Sequence, residues 1–418
     1  MDFVLALHSH LPWVLNHGRW PHGSDWLCEA ALDAYLPLIE RLRALEAERI
    51  PAPLTLGITP VLANQLASPA FVAEMEAFFA QRLLACDEAR TSLTASGEGH
   101  LVPLVEFWHE RLRRLQHLFH DLGGDLLSAL RALEDAGRIE TITSAATHGF
   151  LPLLARDESI RLQLAAGRTE HRRLLGRHPQ GIWVPECAYR PRGPWQPWST
   201  APRVGIRRGI EEHLGDAGFR YFFVDSHLAS AGRPLGIYGD PGGDPLLPRS
   251  GDRLEDLGHR SPYRAYEVAP WRHEGIAALV RDPRSSMQVW SRHHGYPGDG
   301  TYLEFHKMRW PGGLKLWRVT GDGVDLGGKE PYDPAAARER ARGHAEHFTG
   351  LLDAIAGGER QRRNGVIVAP FDTELFGHWW FEGPEWLAAV YRSLARQGHG
   401  VRPVTASRHL ADHPARQP

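Results

Sequence analysis

The sequence predicts an α/β fold in which a parallel β-sheet is covered by helices on both faces. Three observations support this prediction. Short apolar runs of strand length recur along the chain, longer stretches with helical periodicity separate several of them, and 418 residues suffice for one large core with insertions. One large domain is therefore expected rather than several small ones.

Seven runs are predicted to be strands because each is rich in apolar residues and is bounded by turn residues. Runs that are apolar throughout are typical of strands buried on both faces of a sheet. The seven runs are FVLAL (3–7), PLTLGIT (53–59), IETITSA (139–145), GIWVP (181–185), YFFVD (221–225), MQVW (287–290) and GVIVAP (365–370).

The predicted helices show clear start and stop signals. FVAEMEAFFAQRLLACDEAR (71–90) carries apolar residues at helical spacing. DPAAARERARGHAEHFTGLLDAIAG (333–357) begins with Asp333 as an N-cap and Pro334 as the first helical residue, and it ends at Gly357. The Gly- and Pro-rich segments 228–251 and 311–332 are predicted to be functional loops outside the core, because long structureless loops are uncommon in compact domains.

Charge and cysteine usage restrict the partners and the compartment. The chain carries 48 basic and 50 acidic side chains, a balance that attracts neither nucleic acid nor an anionic membrane and suits a neutral polar ligand. The N-terminus MDFVLALHSHLPW has no basic leader, and no apolar run approaches the roughly 18–20 residues of a membrane span. Cys28, Cys86 and Cys187 are far apart and are expected to be reduced thiols. A cytoplasmic protein is therefore expected.

Tryptophan is unusually abundant, with 14 residues. Many of them stand next to Gly or Pro in segments predicted to be loops. Because tryptophan is large and mostly buried, about half are expected in the core. The others are expected to line a groove.

Polar or aromatic side chains follow six of the predicted strands. In chain order these are His8 and His10, Thr147 and His148, Glu186, Asp225, Trp290, and Asp372. In a parallel barrel the carboxyl ends of all strands open on one face, and that face holds the active site. A lone histidine beside a strand is more often structural, but six such coincidences together predict a shared site.

One chemistry open to this set is metal-dependent hydrolysis of the amidohydrolase type. His8 and His10 form a His-x-His pair, and His148, Asp225 and Asp372 could complete a set of nitrogen and oxygen ligands. Binuclear versions of such sites use a lysine on a middle strand, whereas this chain has lysine only at 307, 315 and 329. The metal hypothesis is therefore the less favoured one.

The other chemistry is glycosyl transfer, which needs two carboxylates flanking a glycosidic bond. One attacks the anomeric carbon, and the other protonates the leaving oxygen and later deprotonates the acceptor. Glu186 and Asp372 suit these roles because each stands at a strand end among aromatic residues. Those neighbours are Trp183, Tyr189, Phe371, Trp379 and Trp380. Flat rings stack on the C–H faces of sugars, which gives the many tryptophans a purpose.

Four segments resemble the signature blocks of glycoside hydrolase family 57, and most closely those of its 1,4-α-glucan branching enzymes. They are HSHLPW (8–13), ATHGFLPLL (146–154), GIWVPECAYRP (181–191) and FDTELFGHWWFEGPEWL (371–387). The resemblance implies an incomplete (β/α)7 barrel with an inserted loop and helical subdomain on the C-terminal face of the strands. Residues 1–405 would form this barrel, with an insertion at about 191–262 that carries a lid loop at 228–251, and 406–418 would form a short tail.

The resemblance also implies roles for individual residues. It implies a retaining mechanism without a metal or another cofactor, with Glu186 as nucleophile and Asp372 as acid/base. Tyr238 in GRPLGIYGDPGG stands where branching enzymes carry a tyrosine at the tip of a long loop over the cleft. The residues implied to contact substrate are His8, His10, Trp20, His148, Tyr238, Arg281, Trp290, Gly298 and Trp379.

Two departures from the branching-enzyme pattern concern the acceptor side. His293 stands in WSRHHGYPG where an acidic residue is expected. The sequence given ends at Pro418 without the helical C-terminal domain that follows the barrel in those enzymes, and a naturally short form and a truncated chain are both open.

The sequence therefore predicts a retaining enzyme that acts on α-1,4-glucans such as amylose or a glycogen-like polysaccharide, with branching as the favoured reaction. An α-amylase or a 4-α-glucanotransferase of the same family would share the first half-reaction and differ only in the acceptor. A glucan-binding module without catalysis is a further alternative, but binding alone would not need both Glu186 and Asp372. The oligomeric state cannot be predicted from the sequence.

Overall fold

The computed structural model describes residues 1–195, 205–230, 260–268, 275–291, 295–310, 312–359, 364–396 and 398–415. Within these ranges strands and helices alternate along the chain. The strands are β1 (Asp2–Ser9), β2 (Leu54–Ile58), β3 (Ile139–Ser144), β4 (Gly181–Trp183), β5 (Gly193–Trp195), β6 (Gly205–Arg207), β7 (Tyr221–Val224), β8 (Ala265–Val268), β9 (Ile276–Val280), β10 (Val366–Asp372) and β11 (Arg402–Pro403).

The helices cover the sheet and fill the long crossovers between its strands. A π-helical stretch, Ala31–Tyr35, joins the first two of them. The helices are α1 (Ser24–Ala30), α2 (Leu36–Ala47), α3 (Pro60–Leu66), α4 (Pro69–Ala95), α5 (Val102–Asp121), α6 (Leu126–Asp135), α7 (Asp157–Leu175), α8 (Ile210–Asp216), α9 (His227–Ser230), α10 (Pro283–Trp290), α11 (Pro334–Gly358), α12 (Gly383–Leu394) and α13 (Ala406–Asp412).

One large mixed sheet organises the molecule. Its strands follow the order β10-β1-β2-β3-β4-β7-β9-β8, and β11 pairs with β1. All of these pairs are parallel except β8 with β9. All eight residues of β1 are buried, as expected for a parallel strand with helices on both faces. The α/β prediction is confirmed.

The apolar runs located six of the seven predicted strands correctly, and the seventh prediction is wrong. MQVW (287–290) ends the helix α10 instead of forming a strand. Asp282 caps this helix by accepting hydrogen bonds from the backbone N–H groups of Arg284 and Ser285, and Pro283 occupies its first turn. A four-residue apolar run does not distinguish a strand from the buried face of a helix, whereas the N-cap at Asp282 indicates a helix. The strand that precedes it, β9, was missed.

The predicted helices are confirmed, with small changes in their bounds. Helix α4 extends the predicted stretch 71–90 at both ends. Asp333 caps α11 through hydrogen bonds from the backbone N–H groups of Ala335 and Ala336, at 2.9 and 3.0 Å. Of the described helices, none combines the length and the apolar character that crossing a bilayer requires.

The prediction that segment 311–332 lies outside the core is wrong for three of its described residues, whereas most of residues 321–331 are exposed. Leu314, Leu316 and Tyr332 are buried in the main hydrophobic core. Leu314 and Leu316 alternate with polar residues, and antiparallel bridges tie this segment to residues 303 and 309. The many glycines of this segment favoured a loop prediction over this short alternation. Most of the other predicted loop, residues 231–251, lies outside the described residues.

Gly377 holds the turn after β10 against the π-helical stretch. Its backbone has φ +119, and a Cβ at this position would lie 1.8 Å from the carbonyl oxygen of Asp33. Its N–H donates a 2.7 Å hydrogen bond to the carbonyl of Trp380. Only glycine satisfies both the dihedral angle and the close approach.

We expect Gly377→Ala to lower the free energy of unfolding by at least about 3 kcal/mol, because both backbone strain and a backbone clash result. Gly350→Ala is the matched control: it lies exposed in α11, where an added methyl group would meet no side chain within 4 Å, and it should raise that free energy by about 0.5–1 kcal/mol. Urea denaturation measures both. A Gly377→Ala protein as stable as the wild type would contradict the proposed packing.

Candidate active site

A cleft of about 980 Å³ opens at the carboxyl ends of the parallel strands. Side chains from the ends of β1, β4, β7, β9 and β10 converge there because these strands run in the same direction. Eight of the predicted site residues line this cleft: His8, His10, His148, Glu186, Arg281, Trp290, Asp372 and Trp379. These eight residues therefore share one concave surface.

Glu186 stands on a strained turn directly after β4. The residues Pro185–Cys187 form a single 3₁₀ turn, in which Glu186 has φ 59 and ψ 20. Cys187 also has a positive φ, of 50. Two successive non-glycine residues in the left-handed region are costly, and such strain clusters at functional sites. The Glu186 side chain is 71% exposed and is therefore accessible from the cleft.

Asp372 is the last residue of β10. Crowding by surrounding protein atoms, helped by the negative charge of Glu186, raises the pKa of its carboxyl to about 6, while Arg281 opposes the shift. The side chain nevertheless keeps contact with solvent in the cleft. Glu186 and Asp372 line the same cleft, close enough for the charge of Glu186 to raise this pKa. Asp372 therefore holds a proton more readily than an ordinary aspartate does.

Three imidazole rings and an indole form a column on the cleft wall. His8 stacks on Trp183 with ring centroids 4.7 Å apart, His148 lies 4.8 Å from His8, and His10 lies 4.1 Å from His148. Burial lowers the pKa of His10 to about 4 and that of His148 to about 3, and it lowers the pKa of His8 well below its ordinary value. All three rings are therefore neutral near pH 7.

The tautomer of His148 follows from its hydrogen bonds. The Ser144 hydroxyl donates to the carbonyl of Trp183 at 2.7 Å and lies 3.1 Å from Nδ1 of His148. Since that hydroxyl has a single proton, Nδ1 must donate to Ser144, and Nε2 is left as an acceptor. Nε2 lies 3.7 Å from Oε1 of Glu186. A hydroxyl entering this space could donate to Nε2.

A buried acid, Glu374, fixes the end of β1. Its Oε1 accepts a 3.1 Å hydrogen bond from the backbone N–H of His10 and another from the hydroxyl of Tyr35. Burial, with a smaller contribution from the nearby Asp372, raises the pKa of Glu374 to about 8, although both of these bonds lower it. Glu374 is therefore neutral near pH 7 and adds no second negative charge beside Asp372.

Arg281 lies between the two carboxylate-bearing turns. Its Nη1 donates to the carbonyl of Pro370 at 2.9 Å, and its Nε lies 3.6 Å from Oδ2 of Asp225. The pKa of the neighbouring Cys187 thiol is raised to about 12, chiefly by burial. Cys187 is therefore a neutral packing residue. All three cysteines of the chain are free, as the sequence predicted, and they are also buried.

Exposed aromatic rings flank the cleft. Trp290 is 42% exposed and lies 6.2 Å from the ring of Phe371, and Trp379 is 51% exposed and lies 4.5 Å from the ring of Phe305. Exposed indoles held by other rings provide flat apolar surfaces at low cost in side-chain entropy. Together with the neutral imidazoles they suit a neutral, hydroxyl-rich ligand.

Two further predicted contact residues, Gly298 and Trp20, do not line the cleft. Gly298 lines a separate pocket with Arg340 and His344. Trp20 is 76% exposed in the loop before α1 and does not line the cleft. Tyr238 and His293 lie outside the described residues.

Several cleft residues were not predicted from the sequence. Glu374, Trp26, Ser286 and His378 all line the cleft. Glu374 and His378 occur in the same FDTELFGHWW block as Asp372, so their proximity in sequence was the available signal. Trp26 and Ser286 reach the cleft from helices, whereas the prediction considered residues that directly follow strands.

The His-x-His metal hypothesis gains no support from the geometry of the described residues. The rings of His8 and His10 stack 6.3 Å apart instead of converging on one point. Within the described ranges, the only three potential ligand groups that converge are Asp2, His409 and His413, and none of them lines the cleft. The Asp2 carboxylate is already held by Arg402 at 2.9 and 3.1 Å.

Comparisons with known proteins agree with this architecture. The chain is 38% identical over 412 residues to a 1,4-alpha-glucan branching enzyme of Thermococcus kodakarensis, a match that covers 98% of this chain and 58% of that relative. The crystal structure of a GH57-type branching enzyme from Pyrococcus horikoshii superimposes with a TM-score of 0.87 at 39% identity, covering all of this chain and 71% of the other. An alpha-amylase, AmyC from Thermotoga maritima, gives a TM-score of 0.80 at 28% identity, covering all of this chain and 75% of the other.

The family assignment rests on nearly the whole chain. The model of glycosyl hydrolase family 57 matches residues 4–417. The matched region contains every strand-end residue of the cleft, and the relatives of known structure share the fold. The chain therefore belongs to glycosyl hydrolase family 57.

Proposed function

We propose that the protein is a retaining glycosyl transferase that cleaves an α-1,4-glucan and transfers the cleaved chain to a 6-hydroxyl, which creates a branch. The observation that carries this proposal is the pairing of Glu186 with Asp372 across an aromatic-lined cleft, where the charge of Glu186 helps Asp372 to keep its proton. Such a pair is what a retaining mechanism requires.

In the first half-reaction, the carboxylate of Glu186 attacks the anomeric carbon while Asp372 donates its proton to the glycosidic oxygen. The carbon–oxygen bond breaks, the leaving chain departs with a 4-hydroxyl, and a glucosyl ester forms on Glu186. A general acid works best when its pKa lies near the working pH, and the pKa of Asp372 at about 6 meets this condition.

In the second half-reaction Asp372 acts as a base instead of an acid. Because the ester on Glu186 is neutral, the negative charge that raised the pKa of Asp372 is gone and that pKa falls. Asp372, now a carboxylate, accepts the proton of the incoming 6-hydroxyl, whose oxygen attacks the anomeric carbon and releases Glu186. The neutral rings of His8, His10 and His148 exchange hydrogen bonds with sugar hydroxyls without adding charge beside the nucleophile.

Similarity to characterised relatives supports branching over the alternatives. At 38 and 39% identity, the relatives described above are named as branching enzymes, whereas the amylase is 28% identical. Since this chain spans 58% of the length of the first of these, its acceptor preference is part of the proposal. An α-amylase or 4-α-glucanotransferase would use the same pair with water or a 4-hydroxyl as acceptor. The amidohydrolase hypothesis is not favoured.

We also propose that the sheet is an incomplete (β/α)7 barrel made from residues 1–405. The seven parallel strands β10, β1, β2, β3, β4, β7 and β9 would form its wall. A single bridge between Arg281 and Val368 and one 2.8 Å hydrogen bond from Asp282 to Val368 connect β9 to β10.

Free, buried cysteines suit the cytoplasmic location that we propose.

The first test replaces the nucleophile. Glu186→Gln should lower the rate of amylose conversion at least about a thousandfold, because no glucosyl ester can form. The wild type should produce α-1,6 linkages, measured by chain-length analysis after enzymatic debranching, with few new reducing ends. Glu158→Gln, which changes an exposed carboxylate in α7, serves as the control. Activity of Glu186→Gln within tenfold of the wild type would exclude the nucleophile role, and reducing ends without branches would indicate the amylase.

The pH dependence provides a second test. Since Asp372 must be protonated for the first half-reaction, kcat/KM should fall as the pH rises through about 6. Arg281→Gln removes a positive charge that lowers the pKa of Asp372, so this decline should move to higher pH, even if the maximal rate also drops. Arg281→Lys keeps the charge and should leave the position of the decline nearly unchanged. A shift to lower pH in Arg281→Gln would contradict the assignment of Asp372 as acid.

The protonation of Glu374 can be tested with two substitutions. Glu374→Gln imitates the neutral acid and keeps an acceptor for His10 N–H and Tyr35 O–H, so kcat should stay within about threefold of the wild type. Glu374→Ala leaves two buried donors without an acceptor, which costs about 1–3 kcal/mol each, and kcat should fall more than about tenfold. If Gln were as damaging as Ala, a charged Glu374 would be required and its neutral state would be wrong.

A further inference from the structure

A second pocket, of about 360 Å³, lies between α2, α5 and the segments that begin α11 and α12. Of the residues that the structure describes, none lines both this pocket and the catalytic cleft. The two cavities are nevertheless neighbours along the chain, because Trp379 lines the cleft and Glu382, three residues later, lines the pocket. Its volume lies within the usual range for small-ligand sites.

Glu382 presents an unused acceptor to this pocket. It is only 5% exposed, and its Oε1 accepts hydrogen bonds from the Tyr332 hydroxyl at 2.7 Å and from the backbone N–H of Leu303 at 3.1 Å. Its Oε2 is buried and has no hydrogen-bond partner among the described residues. Burial raises the pKa of this carboxyl to about 7. A buried oxygen of this kind normally has a partner, so a group is expected beside it that can donate to the ionised carboxyl and accept from the protonated one.

Arg111 presents unused donors to the same pocket. Its guanidinium lies over the ring of Phe381 at 4.6 Å from the ring centre. Its Nε and Nη2 are buried and have no hydrogen-bond partner in the described parts of the chain. The pocket therefore offers donors and an acceptor at once, next to the aromatic rings of Phe107 and Phe381.

The charges around the pocket are nearly balanced. Arg41 pairs with Glu40 at 2.7 Å and with Glu385 at 3.0 Å, and Arg114 also pairs with Glu40. Arg41 and Arg114 are therefore neutralised by their own neighbours. Arg338 also lines the pocket, so its four arginines exceed its three glutamates by one charge when Glu382 is ionised. A phosphate or other anion that approached Arg111 would also meet Glu382, which at a pKa of about 7 is ionised for about half of the time near pH 7 and would then repel it. A neutral ligand fits better than an anion.

We propose that this pocket is a second carbohydrate site that holds a glucose unit of an α-glucan outside the catalytic cleft. One hydroxyl donates to Oε2 of Glu382, a second accepts from Arg111, and the C–H face of the ring packs on the Phe107 side of the pocket. A sugar hydroxyl is both donor and acceptor, so one ring can satisfy both orphaned groups. The choice of an α-glucan over other polyols rests on the proposed function.

The test counts binding sites for maltoheptaose by calorimetry in the Glu186→Gln protein, in which turnover is blocked. Two binding events are expected. Adding Arg111→Met should remove one event and leave the other, whereas adding Arg113→Met, an exposed arginine on the same helix, should leave both. A folded Arg111→Met protein that keeps two events, or a Glu186→Gln protein with one event, would overturn the proposal.

A crystal of the Glu186→Gln protein soaked in maltoheptaose provides a measurement that does not depend on the folding of Arg111→Met. A sugar ring within hydrogen-bond distance of Glu382 Oε2 supports the proposal, and an empty pocket beside an occupied cleft overturns it. Binding of inorganic phosphate in the pocket, lost in Arg111→Met, would make it an anion site instead. Sugar in the pocket, together with a wild-type protein that does not convert amylose, would refute the proposed catalysis and leave the second site intact, so the two failures are distinguishable.

Discussion

The parallel pairing of β1 with β10 is the constraint on which the rest of the site depends. Its register places His8 beside Asp372, and the Ser9 hydroxyl continues the contact by donating a 2.8 Å hydrogen bond to Thr373. A slip of one residue would turn every side chain of β1 to the opposite face, which would remove His8 and His10 from the cleft. The imidazole column, the buried Glu374 and the acid Asp372 therefore share one determinant, and the helices around the sheet serve to hold that register.

The titratable side chains of the cleft differ in their protonation near pH 7. Among the cleft groups whose pKa is shifted, Glu374 and the three histidines are neutral near pH 7, and Asp372 is shared between its two states. Burial is the largest cause of each of these pKa shifts. The protein thus sets these pKa values mainly by excluding water, and neighbouring charges change them by smaller amounts.

A structural feature could be predicted from the sequence when the residues that indicate it are neighbours along the chain. The strand ends that carry Glu186 and Asp372 were predictable because the buried strands are apolar runs that stop at a polar residue. Trp290 was assigned to the wrong element, because the decisive cap at Asp282 lies outside the apolar run itself. The neutral state of Glu374 and the orphaned atoms of Arg111 and Glu382 depend on residues far away in sequence, so no local pattern could reveal them. The separate position of Gly298 is likewise a property of the tertiary packing of α10 against its surroundings.

The left-handed turn at Glu186 and Cys187 has a consequence for how this protein can change. Each of the two residues gives up about 1–2 kcal/mol relative to glycine at the same dihedral angles. A chain selected for stability alone would drift toward glycine at these positions, and at Glu186 the proposed role as nucleophile would resist that drift. Under that proposal the turn is a point of stability–activity trade-off, and a thermostabilised variant obtained without a functional screen would be at risk of losing the Glu186 carboxyl first.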